Sequence, residues 1–181
     1  MLSKPKNGWT TVTIKDFEAE ASYLVDIPFD WLKTCLHGLQ NRTPIALFIE
    51  EEGSECYITS YYEATYIVAH RRDGVTCHDY PLVSFIDIAA SLVEDIEKHF
   101  DDWVHWYPYE DSDADIQRRE AELRELIQTV ENALEQTKET PVLRRKEQGF
   151  SRNEKPLWQA LNRIPFMRSI VPFFKKRRVK R

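Results

Sequence analysis

Ser84–Tyr107 reads SFIDIAASLVEDIEKHFDDWVHWY, and it divides a strand-rich half of the chain from a helical one. Ile86, Ala89, Val93, Ile96, Phe100, Trp103 and Tyr107 recur at steps of three and four, which places them on one stripe of a helix. Ser84 followed by Asp87 predicts a capping-box start. The opposite surface carries Glu94, Asp95, Glu97, Lys98, Asp101 and Asp102. The stretch therefore predicts a helix with one buried face and one acidic face.

Upstream, Trp9–Ile14 alternates β-branched residues and predicts a strand, with a second over Ala19–Asp26. Pro28 suits the first turn of a helix running to Gln40 on Phe29, Leu32, Leu36 and Leu39, with Gly38 weakening its end. Strands are expected over Pro44–Glu50, Glu55–Tyr62 and Thr65–Arg71. The Asp73-Gly74 pair predicts a two-residue turn into another strand, VTCHDY. The order β-β-α-β-β-β-β-α joins its strands by hairpins. It predicts an α+β fold: a mostly antiparallel sheet with helices packed on one face, followed by a long helix and a basic tail.

Within that long helix, Ile116, Glu120, Leu123, Ile127, Val130, Leu134 and Thr137 alternate steps of four and three, the seam spacing of a coiled coil. Two packings follow from it. One is a hairpin against the central helix, and the other is a homodimer through Leu123, Ile127 and Val130. The organisation expected is an acidic domain over 1–110, an amphipathic helix over 111–139, a charged linker over 140–156 and an aromatic, basic tail over 157–181.

Charge follows the same divisions. The 181 residues carry a net charge of −5, but residues 1–110 hold 8 basic against 19 acidic side chains, and residues 141–181 hold 13 against 2. The body is thus at −11 and the tail region at +11, which points to oppositely charged targets. Five Gly and nine Pro are too few for a fibrous or wholly disordered chain. The longest apolar run of the tail is too short, and carries Arg168, to span a membrane. Cys35, Cys56 and Cys77 form no CxxC pair, and the first residues lack an apolar signal core, so a reduced, cytoplasmic setting is expected.

Four constellations are candidates for chemistry. On the central stretch, Asp95 with His99 and Asp102, and Asp101 with His105, place carboxylates beside imidazoles at helical spacing. That arrangement permits a metal-assisted hydrolase. However, no third ligand or HExxH spacing accompanies the pairs, and an ion-paired acidic face accounts for them. Cys77-His78-Asp79 joins a thiol and an imidazole, but neighbours on a strand point to opposite faces. Tyr57, Tyr61, Tyr62 and Tyr66 suggest an aromatic sheet, as in base-stacking modules, although the negative body opposes phosphate.

The fourth is the tail, where Trp158, Phe173 and Phe174 accompany Lys175, Lys176, Arg177, Arg178, Lys180 and Arg181. Aromatic and basic residues together fit an anionic membrane surface, at about 1 kcal/mol per basic residue, or the phosphates of nucleic acid.

These features predict a non-enzymatic interaction or regulatory protein, without metal or cofactor. Its acidic domain would bind a basic protein partner through Glu94, Asp95, Asp101 and Asp102, in the manner of an inhibitor or immunity protein. Its tail would contact an anionic membrane or nucleic acid, giving a cytoplasmic protein peripheral at a membrane surface.

Overall fold

A computed structural model of the chain describes residues 1–106 and 112–139. The expected linker and tail, and Tyr107, lie outside the described residues. The elements are β1 (Trp9–Ile14), β2 (Phe17–Ser22), α1 (Ile27–Asn41), β3 (Ile45–Glu50), β4 (Glu55–Ser60), β5 (Ala64–Arg71), β6 (Gly74–Pro81), α2 (Phe85–Lys98), α3 (Phe100–Val104) and α4 (Asp113–Glu139). This is the α+β class, and every strand pairing is antiparallel.

The strands form two sheets: a β1-β2 hairpin and a four-stranded meander in the order β3-β4-β5-β6. Alternation sorts the meander's faces. Ile45, Leu47, Ile49, Cys56, Ile58, Ile67 and Ala69 are buried on one face. Helix α1 and strand β2 pack against β3 from that side, and Phe17 of β2 meets His78 edge-on, with ring centroids 5.2 Å apart. Arg71 fastens the layers together. Its guanidinium donates to both carboxylate oxygens of Glu51 at 3.1 and 2.9 Å, and to the Glu18 carbonyl at 3.2 Å.

Helix α1 continues through Gly38 to Asn41, where Arg42 adopts a left-handed conformation and its N–H returns to the Gly38 carbonyl. Gly38 is there for space. A β-carbon at that position would lie 2.4 Å from Ile45 Cγ2, so the end of α1 rests on β3 only because the side chain is missing.

The capping box at α2 forms as its sequence predicts, with Ser84 and Asp87 exchanging hydrogen bonds of 3.1 and 2.9 Å. The single long helix expected over Ser84–Tyr107 does not form. The chain breaks at His99 (φ −125°, ψ 37°) and resumes as α3. The break lets Trp103, Val104 and Trp106 all enter the core, and the Trp106 indole N–H donates to the Val25 carbonyl at 2.9 Å. The buried arc of α2 is also wider than the narrow stripe. It comprises Phe85, Ile88, Ala89, Leu92, Val93 and Ile96, because α2 meets both α1 and α4. Ile86 and Phe100 are only half-buried.

Other boundaries shift for local reasons. The second strand is Phe17–Ser22, since the two-residue turn Lys15-Asp16 sets its register from Ile14↔Phe17. Beta-4 ends at Ser60, where Ser60 and Thr65 hydroxyls meet at 2.6 Å and Thr65 donates to the Val83 carbonyl at 2.7 Å. In the β5-β6 hairpin the turn residues are Arg72 and Asp73, with Gly74 (φ +135°) opposite Arg71.

Helix α4 lies against α1 and α2. Leu123, Ile127, Val130 and Leu134 are buried there. The heptad-like seam is therefore used within the domain, and a coiled-coil dimer through it would first require α4 to undock. Arg119 locks the start of this helix: its guanidinium grips both Asp26 oxygens at 2.8 and 2.6 Å, and Nε donates to the Val104 carbonyl at 2.9 Å.

Candidate functional site

The acidic surface of α2 and α3 is partly occupied by the chain's first residues. Asp95 accepts the Leu2 N–H at 2.6 Å and pairs with the Met1 amino group at 2.8 Å. Lys4 pairs with Asp102 at 3.1 Å. Glu94 and Asp101 remain exposed. Of the four carboxylates expected to meet a partner, two are thus engaged internally. Composition cannot announce this, because the pairing spans more than ninety residues of sequence.

Between the N-terminal segment and α3 lies a cleft of about 300 Å³, lined by Lys6, Asn7, Asp101, Asp102, His105 and Trp106. The helix break at His99 separates Asp95 from the geometry a continuous helix would provide, and Asp95 already has two donors. Among the described residues, no group of three or more His, Cys, Asp or Glu side chains is placed to hold a metal ion. The cleft presents opposite charges side by side, an arrangement suited to a polar ligand or the side chain of a partner.

The Cys77-His78-Asp79 run is divided between faces, as strand geometry requires. His78 points to the covered side, against Phe17 and parallel to Tyr80. Cys77 is exposed opposite Val68. His70 faces Val75 across the hairpin and reaches Glu55 at 3.4 Å. The other two thiols are inert. Burial pushes Cys35 up to about 12. Burial, with the Glu51 carboxylate beside it, pushes Cys56 up to about 11.

The meander's second face is aromatic, and among the described residues no helix or strand packs over it. The register sets Phe48, Tyr57, Val68 and Cys77 in one row across all four strands. The Phe48 and Tyr57 rings lie 5.2 Å apart, and Tyr66 stands edge-on to Tyr61 at 5.9 Å. Tyr57 and Tyr66 are 44% and 46% exposed. Tyr57 donates to Glu55 at 3.1 Å, and that bond raises its pKa. Tyr62 belongs instead to the core margin, edge-on to Phe85 at 4.9 Å. Beside this face, Val75 is 61% and Leu82 89% exposed, the latter at φ 73°. The sequence identifies the tyrosines but not Val68, Val75 and Leu82, whose exposure depends on which face the helices leave open.

The tail residues Trp158, Phe173, Phe174, Lys175, Lys176, Arg177, Arg178, Lys180 and Arg181 lie outside the described residues. No protein-family model matches the chain, and neither a curated protein nor a solved structure is significantly similar to it.

Proposed function

We propose that this chain is a non-enzymatic interaction or regulatory protein, an inhibitor- or immunity-type binder whose acidic α+β body receives a basic protein partner. Its tail, through Trp158, Phe173, Phe174 and the block Lys175–Arg181, contacts an anionic membrane surface or nucleic acid. The carrying observation is the segregation of charge, −11 over residues 1–110 against +11 over residues 141–181. Charge complementarity of this size speeds encounter and selects partners. Exposed Glu94 and Asp101 at the α2-α3 surface support the body's part, as does an aromatic sheet face of the kind enriched at interfaces. The protein then works in the cytoplasm, peripheral to a membrane where the anionic surface is lipid.

Parallel pull-downs with the intact chain and a chain lacking Lys175–Arg181, each at low and high salt, test the reading. Basic proteins retained by the truncated chain and released by salt belong to the body. Lipid or nucleic acid lost on truncation belongs to the tail. A truncated chain that retains no basic protein, together with a tail whose removal changes nothing, would refute it.

A further inference from the structure

We infer that two copies of this chain pair edge to edge through β6, about a two-fold axis at Cys77. Leu82 donates its N–H to the Glu63 carbonyl at 2.8 Å, so Glu63 and Leu82 are a hydrogen-bonded pair. Alternation along the β5-β6 register makes Thr65/Tyr80, Ile67/His78 and Ala69/Thr76 hydrogen-bonded pairs as well. Val75, Cys77 and Asp79 therefore direct their N–H and C=O groups away from β5. Among the described residues, none of these groups receives a backbone partner.

The opposite edge of the same sheet is treated differently. Helix α1 packs on β3, and the Trp31 indole N–H occupies the outward Phe48 carbonyl at 3.1 Å. Beta-6 carries few of the devices that protect an edge, only Asp79 and the closing Pro81. It spans eight residues paired without a bulge, contains no lysine, and has its proline at the last position. An uncovered edge of this length is a template for another strand.

A second copy fits it because an antiparallel edge can meet itself about a two-fold axis, and an axis at Cys77 engages all three outward residues at once. A two-fold axis there pairs Cys77 with the partner's Cys77, and Val75 with the partner's Asp79, in both directions. All three residues then exchange both backbone bonds. This register also keeps the two covered faces on the same side of the joined sheet. The row Phe48, Tyr57, Val68, Cys77 runs on into the same row of the partner, reversed. The interface is independent of the charge-based reading above and of α4.

Sedimentation equilibrium of the full chain, with chemical cross-linking, tests the inference. Self-paired Cys77 residues stand about 5.5 Å apart at Cα, so dibromobimane, whose two bromides are displaced by neighbouring thiolates, joins two chains there. Val75→Asp faces the partner's Asp79 twice per dimer and weakens self-association about tenfold or more relative to Val75→Lys, which faces the same carboxylate with opposite charge. Cys77→Pro removes an outward N–H and gives a monomer. If that variant misfolds by circular dichroism, the Val75 pair decides, since its side chain is solvent-exposed. A chain monomeric at every concentration overturns the inference. So does a dimer that responds equally to Val75→Asp and Val75→Lys, or one that is not cross-linked at Cys77.

Discussion

The Arg119 guanidinium holds both carboxylate oxygens of Asp26, at 2.8 and 2.6 Å, joining α4 to the entry of α1 across ninety-three positions of sequence. The arginine is only 5% exposed and also lies over the Phe29 ring at 4.5 Å. Removing Asp26 takes the bidentate carboxylate from a buried guanidinium, whose desolvation that pair offsets. Asp26→Ala is expected to lower unfolding stability in urea by about 2–3 kcal/mol. That is below the value for a fully buried pair, since the Asp26 side chain keeps 23% of its exposure. Adding Arg119→Met restores part of the loss. A change under about 0.5 kcal/mol would show that the clamp does not hold α4 in place.

Asp95 anchors the first residues through two donors. Asp95→Asn keeps the side chain's size but removes the charge opposing the Met1 ammonium. The expected loss is about 1–2 kcal/mol, with faster amide exchange where Leu2 bridges Val12. Exchange left at the wild-type rate there would contradict the anchor. The exposed pair Lys4–Asp102 should contribute about 0–1 kcal/mol.

At Gly38, helix propensity and packing oppose one another. Alanine gains up to about 1 kcal/mol of propensity in a helix interior, yet its β-carbon would meet Ile45 Cγ2 at 2.4 Å. Packing prevails where neither side can move, and overpacking costs about 1–3 kcal/mol. Gly38→Ala is therefore expected to unfold at lower urea than wild type. A stabilised variant would mean that β3 yields to α1.

The thiols separate by burial. In the folded protein a thiol reagent should label exposed Cys77 rapidly, and Cys35 and Cys56 only on unfolding. The same shifts set an alkaline limit. A thiol raised from 9.0 to about 12 in Cys35 stays protonated in the fold while it ionises in the unfolded chain. Its contribution is fully present below pH 9.0 and falls as pH rises towards about 12. Cys35→Ala should show a shallower loss over that window in urea titrations. An equal slope would place the alkaline sensitivity elsewhere.

The elements that local chemistry determines were legible from the residues. Trp9–Ile14 has the predicted bounds, Ser84 caps α2 through Asp87, and the hairpin order defines the fold class. What the sequence reading missed depends on contacts between distant segments. The His99 break serves Trp103, Val104 and Trp106 together, which a single helical period cannot represent. Asp95 and Asp102 resemble free recognition carboxylates until Met1 and Lys4 are seen against them. The middle of the α4 seam, Leu123, Ile127, Val130 and Leu134, is apolar and buried, while Glu120 and Thr137 break the pattern at its ends, and periodicity does not say whether the neighbour is another copy or α1 and α2.

The central claim is that opposite charges in one chain serve two separate contacts, and the tail's contact is the one most directly measurable. Affinity of the intact chain for phosphatidylserine vesicles and for duplex DNA, titrated with salt, should be compared with that of a chain lacking Lys175–Arg181. Neutralising about six phosphates predicts roughly a thousandfold loss of DNA affinity between about 50 and 200 mM salt. Truncation is expected to abolish binding to both surfaces and leave the unfolding curve of the body unchanged. Equal binding by intact and truncated chains, or binding indifferent to salt, would contradict the account.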